Sequence, residues 1–150
     1  MKEDSSGIRE YIDNLLRTQK LMVLASSGPE YPYCNLVGFA STGDLRSLIF
    51  VTGRDTRKYN NIKADGKVSL LLDNRRNSVS DFREAAAVSV LGFAEEASGE
   101  QLEEFRELYL QRHPHLHEFV NSPYTAIMKV TVSRYILVRR FQEVVELDME

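Results

Sequence analysis

The chain has 150 residues, 43% of them apolar and 27% charged, and its formal net charge is −3. That size and balance suit one domain, residues 1–150, around one hydrophobic core, and an acidic overall field disfavours DNA, RNA or an anionic membrane as partner. Cys34 is the single cysteine, which excludes an intrachain disulfide and a four-cysteine zinc site, and no apolar run reaches the ~18–20 residues of a membrane-spanning helix.

The N-terminal MKEDSSGIRE is polar and acidic, unlike a secretory leader, so a reducing, cytoplasmic setting is expected. Ile8, Tyr11, Ile12, Leu15 and Leu16 then fall on one face of a helix, with Ser5 or Ser6 as its N-cap. Leu21–Ala25 is a short, continuous apolar run and reads as a buried strand. Ser27-Gly28-Pro29 marks a turn. Tyr33–Ala40 predicts a strand, Ser41–Asp44 a tight connection, and Ser47–Thr52 a strand of strong β composition. A helix over Thr56–Ala64 stops at Asp65-Gly66, where Gly66 is expected to take the left-handed cap.

Lys67–Asp73 predicts the next strand, and the polar, Arg-rich Asn74–Glu84 a long loop. Ala85–Glu95 reads as a strand with a bulge at Gly92. Glu100 to about Arg112 predicts a helix, lined on one side by Leu102, Phe105, Leu108 and Tyr109 and ended by Pro114. Ala126–Arg140 is a long β segment, which Val144–Leu147 extends after a break. Six or seven strands with hairpin-length links favour antiparallel pairing. A small closed or split barrel removes the exposed edges such a sheet would otherwise carry.

Within this frame the segment Thr52-Gly53-Arg54-Asp55-Thr56-Arg57-Lys58 is anomalous. Cations crowd the first turn of a helix, where the macrodipole is positive and each costs about 0.3–1 kcal/mol at an exposed site. An anion docked there reverses the sign. It would accept from the first-turn N–H groups, the Thr56 hydroxyl, Arg57 and Lys58. From spacing alone, this reading stands beside the alternative of a solvated helix face with salt bridges.

The stretch LMVLASSGPEYPYCNLVGFASTGDLRSLIFVTGRDTRKYNNIKADGKVSLLLDN resembles the pyridoxamine 5′-phosphate oxidase-like family of FMN-binding split barrels. Its order is the family's: a helix, a strand reading roughly vLAT, G-x-P, a second strand, a strand ending in Thr, and a Ser/Thr-Arg/Lys-Lys helix start. The resemblance implies a mainly β fold, a six-stranded antiparallel split β-barrel with flanking α-helices. It also implies a homodimer with FMN at the interface. Thr52, Thr56, Arg57 and Lys58 fall where the family grips the FMN phosphate, with Arg54 able to add to the grip. Asn35, Leu36, Val37 and Gly38 fall on the strand beside the isoalloxazine. Arg139, Phe141 and Gln142 lie where the partner's contribution enters, and Asn74, with Arg75 and Arg76 after it, could reach flavin or substrate across the dimer. The chain departs from the oxidases in carrying Asn35 where they carry Arg, and Asp65-Gly66 where they carry Asn-Pro. It also lacks a C-terminal Arg/His pair that would map to vitamin B6 recognition.

The activity so implied is flavin-mediated redox chemistry on a small-molecule substrate or electron donor. Its alternatives are a non-enzymatic flavin binder or sensor, or a haem- or deazaflavin-using relative. His113, His115 and His117 form HPHLH, a spacing open to metal or haem ligation but better read as a polar helix end, so no metal site is expected. Cys34, beside the flavin-side segment, is expected to be a buried structural thiol.

Overall fold

The computed structural model describes residues 5–150. Residues 1–4, and with them the start of the acidic N-terminal stretch, lie outside the described residues. Helix α1 (Ser5–Thr18) contains both serines expected as its cap, in its first turn. Its apolar stripe is driven into the core: Ile8, Ile12, Leu15 and Leu16 are all at most 4% exposed. Burying such a side chain contributes about 1.5–3 kcal/mol, so the stripe, more than helix propensity, holds α1 in place.

The strands are β1 (Leu21–Ser27), β2 (Pro32–Gly38), β3 (Ala40–Ser41), β4 (Ser47–Gly53), β5 (Lys67–Asp73), β6 (Ala87–Glu96), β7 (Thr125–Arg139) and β8 (Glu143–Asp148). Their hydrogen-bonded order is β2-β1-β5-β6-β7-β4-β3, with β8 added to β7, and every pairing is antiparallel. The two ends of that order, β2 and β3, are consecutive in the chain and separated only by Phe39. The sheet therefore curls back on itself as a split barrel, with the split at Phe39. With β2–β3 taken as one bent strand, six strands make the ring. β8 is a seventh, paired to the far half of β7 from Arg134 to Arg139. The expected six-strand count thus misses β8.

Alternation explains most of the strands. In β1, Met22, Leu24 and Ser26 point inward, and in β5 Val68, Leu70 and Leu72 do. Strand β4 is buried on both faces. Leu48 and Phe50 join the barrel interior, whereas Ile49 and Val51 pack outward beneath Phe105 and Tyr109 of α4 (Gln101–Arg112) and Val120 of α5 (His117–Asn121). That second layer is why Leu48–Val51 is an unbroken apolar run. The irregularity expected at Gly92 is present as a register shift between Leu91 and Gly92, with the extra residue, Ser133, on β7.

Two local expectations are corrected. The Asn74–Glu84 loop contains a short helix, α3 (Asp81–Glu84), ahead of which the Asp81 carboxylate accepts N–H bonds from Arg76, Asn77 and Ser78 at 2.7–3.1 Å. And Gly66 does not take a left-handed cap. Helix α2 (Arg57–Ala64) ends at Asp65 in extended conformation, and Gly99 is the glycine at positive φ among the described residues. Gly66 is required by space instead. A Cβ there would sit 2.6 Å from the Phe93 ring and 2.8 Å from the Ala94 carbonyl oxygen. No helix among the described residues is long and apolar enough to cross a membrane.

Candidate functional site

Strand β4 ends at Gly53 and the chain turns into α2 through a hydroxyl-linked corner. Thr56 is the N-cap in extended conformation. Its Oγ1 accepts from the Tyr59 N–H at 3.3 Å and donates to the Gly53 carbonyl at 2.8 Å. Thr52, 1% exposed, lies beneath it with the two hydroxyls 2.8 Å apart. With the Thr56 proton on Gly53, Thr52 is the donor in that pair. The corner is thus rigid before any ligand arrives, and it aims the first turn of α2 outward.

Within that turn the Arg57 and Lys58 N–H groups find no acceptor among the described residues, as the first donors of a helix cannot find one within it. Lys58 is half-buried and, among the described residues, no carboxylate lies within ion-pair distance of it. Burial alone pushes its ammonium below the usual lysine range. A partly desolvated cation without counter-charge, next to two open N–H donors, is the arrangement an anion completes. Arg57 is exposed and lies over the Tyr33 ring, 5.1 Å from its centroid.

Arg54 faces elsewhere. Its Nη1 donates to Glu96 Oε1 at 2.7 Å and to the Tyr59 hydroxyl at 3.2 Å, while the Tyr59 hydroxyl donates to the same carboxylate oxygen at 2.7 Å. This clamp ties the start of α2 to the end of β6. It lowers the Glu96 carboxyl, chiefly through the Arg54 bond, and raises the Tyr59 phenol, chiefly through Glu96. Sequence reasoning did not find Glu96, because its partners are 37 and 42 residues away.

The remaining candidates fall in two groups. Asn35, Leu36, Val37 and Gly38 lie on β2, paired to Leu24, Val23, Met22 and Leu21 of β1. Val37 points into the core and Leu36 outward. Gly38 is backed by α4, since a Cβ there would sit 3.1 Å from the Tyr109 hydroxyl and 3.4 Å from the His113 ring. Asn74, Arg139 and Phe141 lie at the other end of β7 from the helix start, the full 15 residues of that strand away, roughly 50 Å of contour. There Asn74 Oδ1 accepts from the Ala86 N–H at 2.8 Å, and buried Arg139 lies over the Tyr11 ring and bonds Glu143 at 3.4 Å. Phe141 stands exposed at the tip of the β7–β8 turn, where Arg140, Phe141 and Gln142 all have positive φ. One chain therefore does not bring this group to the start of α2.

Cys34 is exposed on β2, contrary to the expectation of a buried thiol, because it lies on the outward row with Leu36. That outer face is apolar. Val23 pairs with both Leu36 and Leu71, and Leu21, Leu36, Leu71, Val138 and Val144 are each 39–63% exposed.

The His113 and His115 rings lie edge to face, 6.0 Å between centroids. His113 is buried on the Phe39 carbonyl, and a His117 ring nitrogen lies 3.1 Å from the Asn121 amide nitrogen. Among the described residues no three His, Cys, Asp or Glu side chains converge as metal ligands would.

A family model described as pyridoxamine 5′-phosphate oxidase matches residues 8–139. The chain belongs to the pyridoxamine 5′-phosphate oxidase family. Comparison with curated proteins found no match. Among solved structures, the chain is similar to a haem-binding protein from Mycobacterium smegmatis, with a TM-score of 0.85 at 15% identity over 99% of this chain and 60% of that one. It is similar to ChuZ of Campylobacter jejuni, with a TM-score of 0.82 at 13% identity over 99% and 62%. It also matches a protein of the pyridoxinephosphate oxidase family from Clostridium acetobutylicum, related to general stress protein 26, with a TM-score of 0.73 at 15% identity over 98% and 97%. At such identities the likeness is one of fold. The chain spans about three fifths of the length of the first two.

Proposed function

We propose that this member of the pyridoxamine 5′-phosphate oxidase family binds FMN at a homodimer interface and acts as a flavin-dependent oxidoreductase on a small molecule. The observation that carries the reading is the phosphate corner. Lys58 is half-buried without a counter-ion among the described residues, beside two N–H groups without acceptors there, on a helix start braced by Thr52 and Thr56. A phosphate fits that donor set: the two N–H groups and the Lys58 ammonium would hold it, with Arg57 alongside. Asn35–Gly38 would border the ring system, with Gly38 held in place from behind by Tyr109 and His113.

When bound, the isoalloxazine would supply the hydride and electron chemistry; the chain supplies grip, orientation and exclusion of water. No general acid or base is assigned. The apolar outer face around Val23, Leu36 and Leu71 supports the homodimer, since exposed apolar surface of this kind is where a second subunit packs. Arg139, Phe141 and Asn74, remote from the corner within one chain, would meet the flavin only from the partner. The test is retention of FMN by the dimer through desalting, set beside the same experiment on a chain altered at Arg57 and Lys58.

Haem is the second reading, favoured by the Mycobacterium smegmatis neighbour, which is described as haem-binding. Against it, His113 is committed to Phe39 and His117 to Asn121, which leaves exposed His115 as the histidine open to an axial role. A haem titration read by its Soret band separates the two.

A further inference from the structure

The phosphate corner opens on its Arg57 side into a cleft of about 690 Å³, between the β1–β2 hairpin and α2. That volume is within the usual range for small-molecule sites, about 300–1,000 Å³. Its walls are two aromatic rings, Tyr31 and Tyr33, with Arg57 over the second. Its rim carries the carboxylates of Glu30 and Asp55 and the amide of Asn60, and no hydrogen bond within the described chain occupies any of these three side chains. The hairpin is fixed against the helix. The Gly28 N–H bonds the Tyr31 carbonyl at 3.2 Å, a Cβ at Gly28 would lie 2.4 Å from that carbonyl oxygen, and buried Asn61 donates to Ser26 Oγ at 3.1 Å. The cleft is therefore a feature of the packed fold rather than a gap beside a loose turn.

We propose that this cleft takes the adenosine end of a flavin adenine dinucleotide, so that the site holds FAD more tightly than FMN. The inference rests on the flavin reading above and extends it beyond the phosphate. Arg57 is common to the corner and the cleft, so a group joined to the far side of the gripped phosphate enters the cleft directly, with the second phosphate beside that guanidinium. Adenine offers a flat π-face to Tyr31 and Tyr33, a contact that tolerates any base. Adenosine is neutral and rich in donors, its amino group and ribose hydroxyls, and the rim is rich in acceptors, Glu30 and Asp55. A ligand bringing several further negative charges would be opposed by the same two carboxylates.

The experiment is calorimetric titration of the purified full-length chain with FMN and with FAD, repeated on Tyr31→Ala. Tyr31 is 77% exposed, so its truncation leaves folding intact, which a thermal melt checks. The expected result is FAD binding at least tenfold tighter than FMN, with Tyr31→Ala removing most of that advantage and leaving FMN within twofold of its original affinity. Equal affinities for FMN and FAD, or a variant that weakens both alike, would overturn the adenosine assignment while leaving the flavin reading in place. Failure of both flavins to bind would overturn the flavin reading and this inference with it.

Discussion

His113 Nε2 lies 2.8 Å from the carbonyl oxygen of Phe39, with both residues at most 3% exposed. A carbonyl only accepts, so Nε2 carries the proton and the ring satisfies the backbone where the barrel splits. The neighbouring Arg112 reaches the carbonyls of Leu16 and Gln19 and lies over the Phe39 ring. Together they join the end of α4 to the end of α1 and to the strand expected to run beside the flavin. Burial, with Arg112, His115 and Lys20 adding repulsion against the bond to Phe39, holds the imidazole below its ordinary value of 6.5. The folded chain then binds fewer protons here than the unfolded one, so this contribution is complete above 6.5 and declines as pH falls beneath it. His113→Phe, which leaves the Phe39 carbonyl buried and unpaired, should cost about 1–3 kcal/mol at neutral pH and flatten the slope of stability below 6.5. Urea melts across pH 5–8 check both.

The phosphate corner should be separable from stability. Arg57→Ala with Lys58→Ala removes one exposed and one half-buried cation that make no ion pair in the described chain. Stability should stay within about 0.5 kcal/mol, and relieving the desolvated Lys58 ammonium offsets part of any loss. Flavin affinity should fall on the order of 100-fold or more, corresponding to about 2.7 kcal/mol. Equilibrium dialysis against FMN measures it, and unchanged affinity would place the phosphate elsewhere.

Arg54 should behave in the opposite way. Its guanidinium serves the Glu96–Tyr59 clamp, so Arg54→Ala should lower stability by roughly 0.2–1 kcal/mol and leave FMN affinity within threefold. The Glu96 carboxyl sits below the usual glutamate range because of Arg54. The clamp's contribution is therefore present above the ordinary glutamate value and lost as pH falls through the lowered one. A melt series from pH 3 to 6 on wild type and Arg54→Ala should converge at the acid end.

The outer face offers a test of assembly. Leu71 is 40% exposed in the single chain, and Leu71→Asp should leave the monomer folded. If the apolar face around Val23 and Leu36 is the dimer interface, the variant should sediment as a monomer and lose flavin. Sedimentation velocity on both proteins decides it, and a variant that remains dimeric would move the interface off this face.

Much of the frame was legible in the sequence because it is written in local patterns. The i, i+3, i+4 stripe of α1, the alternation of β5 and the Gly92 irregularity each declare themselves within ten residues. The candidate site at the start of α2 stood out for the same reason, since charge at the wrong end of a helix is a local anomaly. What was missed depends on distant neighbours. Gly66 has the composition of a left-handed cap, but Phe93, brought over it by β6, requires its missing Cβ instead. Cys34 lies in an apolar stretch, yet the β1–β2 register turns it outward. The bond by which Asn74 closes the β5–β6 ladder at Ala86 joins residues twelve apart and is equally silent in the sequence. Ser26 and Asn61, 35 residues apart, meet under the hairpin and fix the cleft; a polar residue at an inward position of an apolar strand was the one available hint.

The most direct test of the central claim is the visible absorption spectrum of the purified protein after incubation with excess FMN and desalting, recorded across the size-exclusion peak. The account predicts a flavin band that co-elutes with a dimer and is lost in the Arg57→Ala, Lys58→Ala variant. A colourless protein that releases all FMN on the column would leave the split barrel intact and contradict the flavin reading of its site.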